Sequence, residues 1–460
     1  MRQGALGGRT RAAGAAAFGA ALLSAVAAAA QSPDAPTTGR LTFSTAVDLN
    51  TNRSLAPVSP GTSLSVSESL GFSYRTETGT QLFELSGSGG LALDRVGGGA
   101  VSGSLATPQL RLRYTREAAS GKLAVDARHD SRDVTSSFLA DPLDPSSLIA
   151  DSGTLATTSA SVTANMRQDA PLSFSFDASY SGRDYSGTTD PALFDETTFV
   201  FSSTANLRLS PTTRAGLSLS QTSYVSADPF STRYLQTDIG VVLSHDLADG
   251  TVLRGDLGYR DRRTTASSAT TLETGLIGGI DISRPLPDGA VFGSLRIDSS
   301  SAAGTTTVLT FGRQLELPDG TLAASVSADY SPTGGVRLVG SASYSRQLSD
   351  GSVSLDVNQS LTTDNFGQDL RLTNLGFSYQ KSLSPVDGIS LSLNLGRSED
   401  AGTGTAPTQD RAAFSATYTR MLAPDWSLSA GYRRQQLGGA SVATSDSLFL
   451  ILTKDLQFAF

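Results

Sequence analysis

Alternation at a period of two residues constrains this chain more than any other feature. Leu172, Phe174, Phe176, Ala178 and Tyr180 share one face of a run whose other face is Ser173, Ser175, Asp177 and Ser179. Ile389, Leu391, Leu393 and Leu395 alternate in the same way with Ser390, Ser392, Asn394 and Gly396. A strand so patterned lies between one apolar and one polar environment. Tight turns punctuate the runs: Asp249-Gly250, Asp288-Gly289, Asp319-Gly320, Asp350-Gly351 and Asp387-Gly388, with Pro424-Asp425 as a variant and Thr78-Gly79, Ser120-Gly121, Asp169-Ala170-Pro171 and Pro211-Thr212 earlier. Asp-Gly between two alternating runs signals a hairpin, and its return every roughly 30–40 residues marks a two-strand unit. Longer connectors at 51–60, 132–152, 183–195, 364–368 and 399–409 separate the hairpins. About ten tight turns and about eleven longer loops imply about 22 strands (roughly 20–24), each near the ~9–11 residues that a tilted strand needs to cross a bilayer. An even count puts both chain ends on the tight-turn side.

Composition narrows the partners. The net charge of -8 and a pI near 4.9 argue against nucleic acid. The absence of cysteine removes disulfides and thiolate metal sites. Past the N-terminus there is no apolar run long enough for a helical membrane span. Residues 1–30 are read separately. Arg2, Arg9 and Arg11 precede a stretch of Ala and Gly, and Ala28-Ala29-Ala30 before Gln31 has the form of an export cleavage site. The expected organisation is a cleaved signal peptide over 1–30, a short periplasmic segment over 31–39 and a barrel over 40–460.

Amphipathic strands in this number suit either a soluble sandwich, solenoid or repeat adhesin, or a membrane barrel. The C-terminus favours the barrel. Leu448, Leu450, Leu452, Leu456, Phe458 and Phe460 fall in one register, which Lys454 interrupts. This ending, with Leu456, Phe458 and Phe460 at its close, resembles the signal that the barrel assembly machinery recognises in Gram-negative outer-membrane β-barrel proteins. Over the whole mature chain the architecture resembles porin-like barrels, with no subfamily identified. The resemblance implies an all-β fold, a single transmembrane antiparallel up-and-down β-barrel in the bacterial outer membrane, with short periplasmic turns. It also implies outer-membrane lipid and the assembly machinery as partners, and leaves room for a periplasmic partner. With only 31–39 ahead of the first strand, no plug domain is expected. The lumen is then open, flattened, filled by loops or occupied by another protein. The oligomeric state is not legible.

Tyrosines fall in two groups. Tyr74, Tyr114, Tyr344, Tyr379 and Tyr418 each precede a tight turn, and Tyr180, Tyr224, Tyr259, Tyr330 and Tyr432 each follow one by roughly ten residues, as two interfacial belts would. Tyr224 is out of step with Leu217 and Leu219, which suggests a bulge or a misread strand. Arg346, Lys381 and Arg420 share parity with Tyr344, Tyr379 and Tyr418, so these six are expected as outward membrane-interface anchors whose cations reach lipid phosphates.

The polar face is expected to line the lumen. Asp126, Arg128, Asp177, Arg254, Asp256, Arg260, Arg296, Asp298, Asp329, Asp356 and Arg433 are the pore-lining candidates. Both signs occur, so a transverse field and a self-neutralised wall are both open. The 132–152 loop, with Asp141-Pro142-Leu143-Asp144-Pro145, folds inward as a lid or stays at the surface. Its two Asp residues fit an Asp-Pro turn better than a calcium site. No metal, cofactor or catalytic residue is expected. His245 sits in the pre-turn cation slot, and His129, beside Asp130, has outward parity. The expected function is a porin-like channel passing small polar solutes through a mixed-charge lumen. An export conduit or assembly component for surface polysaccharide or other secreted material, working with periplasmic partners, and a structural barrel with a closed lumen are the alternatives.

Overall fold

The computed structural model describes residues 37–459 apart from 98, 137, 139–147, 150, 302–303, 333, 364–368, 403–407 and 440–441. The leader, Phe460 and the Asp141–Asp144 turn thus lie outside the described residues. Twenty-two strands, β1 to β22 in chain order, form one sheet in which sequence neighbours pair antiparallel. The sheet closes where β1 (Thr37–Asn50) pairs β22 (Ala443–Ala459), from Thr38 opposite Ala459 to Asn50 opposite Ser447. Closure leaves no free edge, which a wall with lipid on one side requires because lipid offers no hydrogen-bonding partner. Arg40 and Thr42 bind the Asp455 carboxylate across this seam, at 2.6 Å and 2.7 Å. β1 begins at Thr37, so residues 37–39 are already strand.

The alternation sorts the side chains as a single wall demands. Leu217, Ile239, Val241, Leu257, Ile280, Leu309 and Phe311 are all at least half exposed, and by parity all are on the outer face. Leu456 and Phe458 also face outward, and the Phe458 ring covers Gly39, where an added Cβ would sit 2.0 Å from Cε2. Lys454, the interruption in that register, also faces outward, and its ammonium lies 5.1 Å over the Trp426 ring.

Tyrosine placement needs correction at Tyr114, which is buried with Phe83, Leu112 and Ala127, and at Tyr224. The pairings of β9 (Thr213–Ser226) with β8 (Glu196–Arg208) and with β10 (Arg233–Asp246) run without any bulge. Tyr224 is out of step with Leu217 and Leu219 because it faces inward, where its hydroxyl donates to Glu196 at 2.9 Å and its ring stacks on Tyr234 at 4.9 Å. Tyr74, Tyr180, Tyr259, Tyr330 and Tyr418 stand exposed on the outer face.

The pre-turn cations have partners that the sequence did not reveal. Arg284 reaches Asp249, Arg313 reaches Asp288, Arg346 reaches Asp319, Lys381 reaches Asp350 and Arg420 reaches Asp387, at 2.8–3.8 Å. In each case the Asp of one tight turn meets the cation at the end of the next hairpin. The cations are largely solvated, so each pair alone contributes little to stability. Their repetition ties neighbouring hairpins together along the tight-turn rim.

Candidate functional site

The lumen is the one place where this fold gathers polar chemistry, and its wall neutralises much of its own charge. All the pore-lining candidates project from the inner face by parity, but most of their partners lie on other strands. Arg260, on β11 (Val252–Ala266), binds Asp238 of β10 at 2.7 Å and Asp298 of β13 (Gly289–Ser301) at 2.5 Å. Arg296 of β13 reaches back to Asp256 at 3.0 Å and to Asp281 of β12 (Ala269–Leu286) at 2.7 Å. Arg337 joins Asp329 and Asp369 at 3.3 Å and 2.6 Å. Asp126 meets Arg111 at 3.3 Å, Arg128 meets Asp130 at 3.2 Å, and Asp177 accepts from Thr163 at 2.8 Å. Arg433 lies over the inward ring of Phe449 at 5.5 Å. Asp356 and Arg254 have no ion pair among the described residues. His129 is hydrogen-bonded to Thr158 at 2.9 Å, while the buried Asp130 is held by Arg128 and Arg132. The adjacent His and Asp are therefore drawn to opposite faces of the wall.

Described residues of the loop between β5 (Gly121–Asp133) and β6 (Thr154–Met166) reach the inner wall of distant strands. The loop begins with one turn of 3-10 helix, Val134–Ser136. Phe138 and Leu148 then pack, fully buried, against Leu372 of β18 (Asp369–Ser382) and Ala413 of β20 (Gln409–Ala423). Those strands stand across the lumen from β5 and β6. Gly396 of β19 (Asp387–Asp400) makes the seat: a Cβ there would lie 2.7 Å from Phe138 Cε2 and 2.8 Å from Leu148 Cδ2. The Arg411 guanidinium donates to the Thr135 carbonyl and sits 5.2 Å over the Phe138 ring. At the loop's far end the Asp151 carboxylate accepts from the backbone N–H groups of Thr189 and Asp190. Burial would raise this carboxyl, but the amide donors outweigh it and hold it below its ordinary range. A second loop fills the same end of the lumen. Asn52 and Leu55 are buried there, and Arg53 bridges Asp94 and Asp133, the latter at 2.9 Å.

The seat contains an uncompensated polar group. Asn374 is 4 % exposed, and among the described residues neither its amide oxygen nor its amide nitrogen has a hydrogen-bond partner. An unsatisfied buried polar group costs about 1–3 kcal/mol. Asn374→Leu is therefore expected to hold the segment in its seat more firmly. Cleavage at Phe138 by chymotrypsin added to reconstituted protein should slow roughly tenfold, the lower end of that energy range. Unchanged cleavage would show that Asn374 finds partners in the seated state.

None of the residues that make the seat were among the sequence candidates. A signal was present all the same. Leu370 and Leu372 occupy inward positions of β18 where the rest of the wall favours Ser, Thr and charge. Apolar residues on a wet face need a cover.

No known protein family matches the sequence, and no curated protein matches it. Solved structures do. The FrpB iron transporter of Neisseria meningitidis (F5-1 variant) matches at 10 % identity with a TM-score of 0.60, over 93 % of this chain and 83 % of that one. The copper transporter OprC matches at 10 % identity and 0.53, over 91 % and 80 %. A mutant ferric enterobactin receptor, PfeA of Pseudomonas aeruginosa, matches at 11 % identity and 0.52, over 93 % and 82 %. At this identity the likeness concerns the fold, and with the closed barrel it places the chain among the Gram-negative outer-membrane β-barrels. It also corrects the functional expectation. These barrels are described as transporters and a receptor, not as porins. The porin-like channel, together with its export and closed-barrel alternatives, gives way to that finding.

Proposed function

We propose that the chain is a gated outer-membrane transporter whose gate is the β5–β6 loop, seated on the far wall through Phe138 and Leu148. The observation that carries this reading is Phe138, buried on the opposite wall between Leu148, Leu372 and Ala413. A loop that merely covered the rim would not need a pocket of its own on the far strands. The likeness to an iron transporter, a copper transporter and a ferric enterobactin receptor supports a transport role for a barrel of this size. Outer-membrane transporters of 22 strands keep a plugged lumen. In this reading the loop at 51–62 and the seated residues Phe138 and Leu148 of the β5–β6 loop take over that task. The tight-turn rim then faces the periplasm and the loop rim faces outward. Among the described residues no group of His, Cys, Asp and Glu is arranged to hold a metal ion. The proposal therefore concerns the gate and takes its cargo from the chemistry of the inner wall.

The absence of native cysteine makes a direct test simple. A double variant, Phe138→Cys with Ala413→Cys, is oxidised to tether the segment and reconstituted in a planar bilayer. The tethered barrel should show no openings, and reductant should restore them. Equal conductance before and after reduction, with the disulfide verified by mass spectrometry, would sink the gate.

A further inference from the structure

The wall near the tight-turn rim holds cations that spend their charge on nothing. In the strand register Arg208 of β8 stands opposite Arg214 of β9, Arg214 opposite Ser244 of β10, and Ser244 opposite Arg254 of β11. The three arginines thus lie in one row, all inward by parity. Neighbouring strands are about 4.8 Å apart, so the row spans roughly 15 Å of inner wall. Among the described residues none of the three forms an ion pair. Arg208 makes only a long bond, 3.5 Å, to the Gln168 carbonyl. The two carboxylates that line the recess beside this row, Asp256 and Asp281, are both already bound to Arg296. A recess of about 660 Å³ lies against this row, within the range of small-ligand sites. Its charged lining comprises four guanidiniums and two carboxylates, a local positive excess in a chain of net charge -8. Asn165 and Asn206 add amide groups to the same recess.

Like charges in a row repel, and each would gain from a carboxylate on the facing strand. Elsewhere the wall provides one, as for Arg260, Arg296 and Arg337. Guanidinium forks recognise carboxylate and phosphoryl groups by paired, charge-assisted hydrogen bonds. We infer that Arg208, Arg214 and Arg254 form a binding site for a small solute carrying two or more carboxylate or phosphoryl groups, the last station of the passage before the periplasm. This names the cargo class of the gated transporter and, as to cargo, rests on that reading. The site itself needs only the row and the recess.

The test is isothermal titration of the full chain, refolded in non-ionic detergent at low ionic strength, with citrate and with pyrophosphate as probes. At least one probe should bind with a stoichiometry of one, and tenfold more salt should weaken it. The preferred probe tells a carboxylate solute from a phosphoryl one. Arg208→Gln, Arg214→Gln and Arg254→Gln combined should lower the affinity at least tenfold. Arg284→Gln, which removes a cation from the outer face of the same rim, should leave it unchanged. Retained heat-modifiable migration on a gel confirms that each variant still forms the barrel. No binding of either probe, or equal binding by the triple variant, would overturn the site. Titration does not depend on the position of the 134–153 segment. A failed tether test alongside binding that the triple variant loses would therefore remove the gate and leave the site.

Discussion

Phe138→Ala is expected to turn a barrel that opens rarely into one that is mostly open. The ring is fully buried in its seat, and truncating such a phenylalanine costs about 3–5 kcal/mol in packing and cavity. When the segment leaves the seat the ring meets water and that contribution disappears, so the cost falls almost wholly on the seated state. Three kcal/mol alone shifts a two-state equilibrium about a hundredfold. Single-channel recording should show long openings in place of brief ones, and cells carrying the variant should take up large hydrophilic antibiotics. Phe138→Leu keeps most of the apolar volume and should sit close to the native protein. Arg411→Met should act in the same direction as Phe138→Ala but more weakly, because it removes the bond to the Thr135 carbonyl and the cation over the ring while sparing the apolar contacts. The barrel should survive all three changes, since none touches the outer face or the β1–β22 seam. An alanine variant whose conductance matches the native protein's, with migration on gels unchanged, would mean that the segment does not obstruct the passage.

The part of this structure legible in the sequence is the part that alternation reports. Parity assigns a side chain to lipid or lumen without knowledge of its neighbours, and it placed Asp256, Arg260 and Arg296 inside and Leu257 and Tyr259 outside. It also assigns Tyr224 inward. Reading its offset as a bulge mistook a correct parity for a broken strand. Pairing is a different matter. Asp256 and Arg260 occur on one strand, yet Arg260 binds Asp238 and Asp298 while Asp256 binds Arg296. Which residues meet across strands depends on the register of each hairpin, and one residue of slip would change every partner. The turn sequences fix hairpin positions only approximately, so the row of Arg208, Arg214 and Arg254 appears only once the register is known.

What fills the lumen was the least legible. Alternation describes the two sides of a wall and is silent on what the wall encloses. A water-filled pore and a pore crossed by a loop place the same Ser, Thr and Asp on the inner face. The difference lies in a few exceptions: Leu370 and Leu372 turned inward, Gly396 where a side chain would block the seat, and an aromatic residue in the middle of a long loop. Each is unremarkable alone, and they combine only when β18, β19 and β20 are seen opposite β5. The porin-like expectation failed for that reason, not because the barrel was misread.

Leu219→Arg and Ser220→Arg differ by one position and should have opposite fates. Leu219 lies midway along β9, exposed on the outer face. An arginine facing lipid near the bilayer midplane costs about 2–4 kcal/mol. Ser220 points inward and stands opposite Asp238 in the register. An arginine there joins an acidic neighbour in a hydrated lumen, and its stem has space that a membrane-facing stem lacks. In urea titrations of protein folded into liposomes, Leu219→Arg should lower the unfolding free energy by about 2–4 kcal/mol, and Ser220→Arg should change it by less than about 1 kcal/mol. The pair tests the assignment of faces more sharply than either variant alone, because both add the same side chain and charge at adjacent positions of one strand. Equal destabilisation would mean that neither side of this strand meets lipid in the way the alternation requires, and a greater loss from Ser220→Arg would turn the barrel wall inside out.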